Sequence, residues 1–274
     1  MENNITSILL LGFPNLQSFT FLFFSLLVLI FCGTISGNLL IMVLYLVSKT
    51  LQSPMYFFIT QLSLCDLLVS TDIVPVLLHT VLYGGSTITL IGCIMQFNIF
   101  VTSEVSECLL LSVMSYDRYL AISNPLRYHS VMSHNLCVIF VNIIWMVACI
   151  VTVINLSCSD ISLIHKLNLI LGYFVVTGPF IIIVTSYVYI VITILKIPST
   201  TGRHKAFSTC SSHLIVVSMF YGTLMIVYMF PTKGQSLFLR KVLTLMYTVL
   251  TQLLNPIIYT LRNNDIKNSF LTLF

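Results

Sequence analysis

Apolar residues dominate long uninterrupted stretches of the chain, and polar residues gather in short breaks between them. A helix needs about 20 apolar residues to cross the hydrocarbon core of a bilayer. Seven stretches meet that length, at about 19–47, 54–82, 93–120, 136–157, 167–195, 207–231 and 236–261. The first, fourth and fifth carry no Asp, Glu, Lys, Arg or His. After the seventh, Ile266, Phe270 and Phe274 recur every four residues with Asp265, Lys267 and Asn268 between them. That period predicts a short helix over about 264–273 lying in the membrane interface. There is no internal repeat and no long linker. The pattern predicts one domain over 1–274, an all-α membrane protein built as a seven-transmembrane helix bundle.

Composition agrees. The chain is 58% hydrophobic and 7% charged, against about 25% charged residues in a soluble domain. Its mean hydropathy is +1.03. A net charge of +4, dispersed along the chain, excludes a nucleic-acid footprint. The amino terminus lacks a basic n-region and a small-residue cleavage pattern, which predicts an uncleaved first helix. With that terminus outside, the inner loops and ends hold Lys49, Arg118, Arg127, Lys196, Arg203, Lys205, Arg262 and Lys267, and the outer side holds Lys166, Lys233, Arg240 and Lys241. Positive residues favour the cytoplasmic side, so the carboxyl terminus is expected there, at the cell membrane. Asn4, in Asn4-Ile5-Thr6, is then a glycosylation acceptor on the outer side.

Carboxylates inside apolar spans are costly and usually face a bundle interior or a water cavity. At 100° per residue Phe100, Glu104, Glu107, Leu111, Met114 and Arg118 share one stripe of the third span. That stripe is expected to face inward. Asp117 and Arg118 sit at its inner end, followed by a break at Pro125. The pair is read either as a latch that opens to a partner or as an interfacial anchor. Asp66 and Glu107 lie at similar depth. They could share a proton, hold a sodium ion with Asn38 and Asn255, or form a hydrogen-bonded cluster without an ion. Pro75, Pro179 and Pro256 interrupt helical ladders and predict kinks. No nucleophile–base set or metal motif stands out, so an enzyme is not expected. A proton or ion transporter using Asp66, Glu104 and Glu107 would be expected to show repeats and paired broken helices, which are missing.

The segments GNLLI (37–41), PMYFFITQLSLCDLL (54–68), MSYDRYLAISNPLRY (114–128), RHKAFSTCSSHL (203–214) and LNPIIYTLRN (254–263) resemble the signatures of rhodopsin-like G-protein-coupled receptors, and within them of the vertebrate olfactory (odorant) receptors. The resemblance implies that Asn38, Asp66, Arg118, Trp145, Pro179 and Pro256 are helix landmarks. It implies that Asp117, Arg118 and Tyr119 form the G-protein-coupling motif, with Tyr187, Asn255, Pro256 and Tyr259 in the switch. Asp66 and Glu107 match an acid pair at a mid-membrane ion site, and Tyr221 an aromatic switch. An outer-half pocket for a small apolar odorant would be lined by Phe100, Val101, Glu104, Val105, Leu171, Val175, Tyr221, Met225, Tyr228 and Thr248. The implied partner is the olfactory stimulatory heterotrimeric G protein, acting through cyclic AMP.

Three departures from the family pattern stand out. The loop at 154–166 is shorter than the family's by some thirty residues, which removes the usual partner of Cys93. A Cys93–Cys158 disulfide is then open to the chain if the two Cα atoms come within about 7 Å. Such a chain is either a working receptor or a non-signalling remnant. Gln252 stands where the family commonly has Pro. Glu104 is an additional acid one turn outward of Glu107, expected to select hydrogen-bond donors or amines, or to bond Tyr221 or a nearby carbonyl.

Overall fold

The computed structural model describes residues 7–12, 19–157, 161–229, 241, 244–262 and 264–273. Asn4 and Cys158, and with them the glycosylation site and the proposed disulfide, lie outside the described residues. So do the side chains of Leu171 and Tyr228.

The helices are α1 (Thr20–Val47), α2 (Pro54–Tyr83), α3 (Leu90–Ser123), the short α4 (Pro125–Val131), α5 (His134–Ser157), α6 (Ile161–Lys196), α7 (Thr200–Met229), α8 (Thr251–Arg262) and α9 (Asn264–Leu273). A single 3-10 turn, Lys49–Leu51, joins α1 to α2, and a π-helical turn, Met246–Leu250, runs directly into α8. Proline opens both α2 and α4, where its missing N–H has no helical partner to lose. Thr89 caps α3 by accepting from the Gly92 amide at 3.1 Å.

Among the described residues five helices are long and apolar enough to cross a membrane: α1, α2, α3, α5 from His134 to Ile154, and α6 from Tyr173 to Lys196. In α7 the apolar segment is shorter, Cys210–Met225. The chain from the π turn through α8 packs on α1, α2 and α7 and completes the seven-helix bundle. Over its most apolar stretch 56% of α3 is buried, against 22% for those of α1 and α6, so α3 runs through the centre. Around it the core joins Leu62 and Cys65 of α2, Leu110, Leu111 and Met114 of α3, Phe220 of α7 and Tyr259 of α8. Leu22, Leu29 and Leu46 of α1, Met146 of α5 and Ile181 and Leu195 of α6 are exposed on the outside, the arrangement a lipid solvent permits.

Helix α9 forms where the short helix was expected, but Ile266 and Phe270 of its apolar period do not share one environment. Ile266 is buried against α1, and Ser269 bonds Ser48 Oγ at 3.0 Å and Thr50 Oγ1 at 3.1 Å, while Phe270 and Leu271 are exposed.

The all-helical expectation needs one amendment. Ser7–Leu11 forms strand β1 and pairs antiparallel with β2 (Gly85–Thr89), in the register Ser7↔Thr89 to Leu11↔Gly85. Gly84 ends α2 with a left-handed φ of 74°, a conformation that favours glycine. That turns the chain straight into β2. Gly12 closes the pair through a 3.2 Å bond from its amide to Gly84 O. A Cβ on Gly12 would stand 2.4 Å from that carbonyl oxygen, so no larger residue fits without moving the backbone.

Candidate functional site

Functional side chains lie at three depths along α3. At the inner end, Arg118 Nε donates to Asp117 Oδ2 at 2.9 Å, and Arg118 Nη2 forms a close ion pair with the same oxygen. Tyr128, projected from α4, donates to Asp117 Oδ1 at 2.8 Å. Asp117 is wholly buried, so both carboxylate oxygens are held inside the protein. Burial, and then the charge of Asp117 beside it, keep the Tyr128 phenol well above its ordinary pKa, so it remains a donor. Tyr119 packs on Tyr189 of α6 with ring centroids 5.8 Å apart. Two residues earlier on α6, Tyr187 meets His213 Nδ1 of α7 at 2.8 Å and donates to Cys210 O at 3.3 Å. Tyr187 therefore ties α6 to α7 beside Arg118. Tyr259 of α8 is buried within electrostatic reach of Tyr187 and Arg118. Its hydroxyl, like His213 Nε2, has no hydrogen-bond partner among the described residues.

At mid-depth, Asn255 Nδ2 lies 3.1 and 3.2 Å from the two oxygens of Asp66 and 3.4 Å from Glu107 Oε1. Both acids are buried. Pro256 cannot donate to the carbonyl four residues back, which frees the oxygen of Gln252. Asn38 of α1 fills that vacancy, with Nδ2 3.3 Å from Gln252 O and 3.0 Å from Thr34 O. Gly37 admits α1 to this place, since a Cβ there would already lie 3.1 Å from the Pro256 ring. The side chain of Gln252 accepts from Ser70 Oγ at 3.5 Å. Asn38 Oδ1, Ser103 Oγ and Ser106 Oγ are buried and unpaired among the described residues.

The outer half departs from the expected lining. Glu104 accepts a short hydrogen bond from Tyr247 of the π turn, rather than from Tyr221. Tyr221 instead packs on Phe180, and with Met225 it lines a crevice of about 600 Å³ between α6 and α7. Val105 is buried against Ala148 and Val151 of α5, with Val101 and Val175 packed on that cluster. A second cavity, of about 640 Å³, opens between α2, α3, the π turn and β1. Phe100 and Thr248 line it, together with Leu77, Thr80, Cys93 and Gln96. Lys241 stands in its wall and donates to Leu11 O at 3.2 Å and Gly12 O at 3.1 Å.

Several partners were not selected from the sequence. Tyr128 lies eleven positions beyond Asp117, and only the break at Pro125 hints that the chain doubles back. Tyr247 sits in a π turn, which shifts the helical phase used to choose facing residues. His213 lay within a recognised segment without an assigned role. Leu126 is 98% exposed on α4, an apolar side chain beside the inner motif.

Residues 37–164 match the family model described as 7 transmembrane receptor (rhodopsin family), and residues 149–274 match that of the olfactory receptor. The chain is 40% identical over 295 residues to human Olfactory receptor 11A1, covering 98% of this chain and 93% of that protein. It is 38% identical over 300 residues to human Olfactory receptor 1J2, covering 100% and 96%. With mouse Olfactory receptor 2A7 it shares 38% over 299 residues, covering 98% and 96%. These alignments are longer than the 274 residues of the chain, so the relatives carry residues it lacks. Likeness of this extent settles the class: the chain belongs to the olfactory receptors within the rhodopsin family of seven-transmembrane receptors, and is a multi-pass membrane protein rather than an enzyme.

Proposed function

We propose that this protein binds small apolar odorants in its outer half and activates a heterotrimeric G protein of the stimulatory olfactory type, raising cyclic AMP. The observation that carries the reading is the inner-end cluster, in which Asp117 engages both Arg118 and Tyr128. An arginine restrained this way is a two-state element. Ligand binding shifts a pre-existing equilibrium towards the state in which the inner face is open. Tyr187, bonded across to α7, couples movement of α6 and α7 to the same place. Leu126 offers an apolar contact to the partner beside it. The reading puts the amino terminus outside and the carboxyl terminus in the cytoplasm.

The mid-depth group suits a small hard cation. Asp66 and Glu107 supply oxygen donors, and Asn38 keeps an unpaired oxygen. With Asn255 these residues would hold a sodium ion, whose charge would offset the two acids.

Arg118→Ala tests the reading. It is expected to abolish odorant-evoked cyclic AMP while surface staining of a tagged copy is unchanged. Retained signalling would remove Arg118 from this role. A second reading, a receptor fold that does not signal, is favoured by the relatives' extra residues. Retention of the unmutated chain in the endoplasmic reticulum would select it.

A further inference from the structure

The cavity beneath the β1–β2 sheet has a one-sided polar wall. Thr80 spends its hydroxyl proton on Val76 O at 2.7 Å, and Thr248 spends its own on Thr244 O at 2.9 Å. Both threonines are more than nine-tenths buried. Gln96 commits one amide N–H to Asp72 O at 2.9 Å, close to Pro75. Each threonine has therefore given its one donor to backbone and keeps oxygen lone pairs as acceptors, while Gln96 keeps its carbonyl oxygen and a second N–H. The rest of the wall is mainly hydrocarbon, from Leu10, Ile73, Val76, Leu77, Phe97 and Leu245. Lys241, an ammonium in the wall, donates to the carbonyls that close β1. It thus fastens the strand as a roof over the space.

Two threonine oxygens left as acceptors in a mainly hydrocarbon wall, beside an amide that can give or accept, favour an apolar molecule that brings its own O–H. A carboxylate brings no proton for the two threonine oxygens. An alkane or ether would leave the acceptors unpaired. The volume of about 640 Å³ lies within the range of small-molecule sites. We propose that this cavity is a binding site for a small aliphatic alcohol, roofed by β1 and read by Thr80, Gln96 and Thr248. The site lies on the α2 side of α3, away from the α5–α6 face on which Val101, Val105 and Val175 are packed. What occupancy does rests on the receptor reading; the binding itself does not.

The test uses the full chain in lipid nanodiscs and an eight-carbon primary alcohol carrying a diazirine, with the labelled peptides mapped by mass spectrometry. Label is expected on 73–80, 93–100 or 244–249. Unlabelled octanol should compete about three- to tenfold better than octane or octanoate, the range expected for one or two neutral hydrogen bonds. Leu77→Trp should fill the cavity and remove the label. The double variant Thr80→Val with Thr248→Val keeps the volume and should erase the preference for octanol over octane while the apolar ligand still competes. The proposal is overturned if label falls only on the lipid-facing crevice between α6 and α7, if no competitor displaces it, or if octanoate competes as well as octanol. Saturable labelling in a chain that raises no cyclic AMP supports the site and counts against the receptor reading alone. A cyclic-AMP response to octanol that survives Leu77→Trp counts against the site alone.

Discussion

A single proline decides much of the local chemistry. Pro256 leaves Gln252 O without its helical donor, and the Asn38 amide comes from another helix to supply one. Asn38→Leu keeps the bulk but leaves the buried Gln252 carbonyl without a donor, while Thr34 O keeps its helical N–H. An unsatisfied buried group costs about 1–3 kcal/mol, so the variant should unfold at a lower temperature in detergent. An unchanged melting curve would show that another donor replaces Asn38. Tyr128 makes the opposite kind of case. Tyr128→Phe removes one bond from Asp117 and leaves the ring, so the restraint on Arg118 is loosened without a cavity. Ligand-free cyclic AMP should rise several-fold at equal surface expression; a fall would mean that Tyr128 supports the open state instead. Sequence reading located Asp117, Arg118 and Asn38, because an acid, a base or an amide in an apolar span is conspicuous. It did not pair them with Tyr128 or Gln252 O. A phenol near a loop and a backbone carbonyl carry no such mark.

At the scale of elements, the apolar runs located the helices well, since their length and polarity are set by the bilayer. The third run was assigned 93–120, and α3 spans Leu90–Ser123, about one turn longer at each end. The strands were invisible for a physical reason. Ser7–Leu11 is too short to show a period, and its partner stands some seventy residues away beyond two spans. What marks the pair is glycine: Gly12 at a contact with no room for a side chain, and Gly84 at a positive φ. Gly12→Val should therefore detach β1. Hydrogen exchange by mass spectrometry would show amides 8–11 losing protection while α2 and α3 keep theirs. If those amides stay protected, the sheet does not depend on that close approach. The π turn had the reverse effect on the reading. By changing the phase ahead of α8 it turned Tyr247 onto Glu104, a pairing that a regular 3.6-residue helix does not indicate.

For the whole molecule, the decisive feature is charge enclosed where α2, α3 and α8 meet. Asp66 comes from α2, Glu107 from α3 and Asn255 from α8, and each is buried, so no one helix holds the group and any movement of the bundle changes it. Two ionised carboxylates around one amide repel each other and are costly to bury, so the group needs a proton or a cation. If sodium supplies the charge, it binds the folded bundle and not the unfolded chain, and it stabilises by mass action. At ten times its dissociation constant the gain is about 1.4 kcal/mol, or a few degrees in melting temperature for a chain of this size. Purified receptor should then melt higher in sodium chloride than in choline chloride at equal ionic strength, and Asp66→Asn should abolish the difference. Glu107→Gln should do the same, because the second acid contributes to the same cage. A shift that persists in both variants places the cation elsewhere. Identical melting of the unmutated receptor in the two salts means that a shared proton, and not sodium, balances the pair.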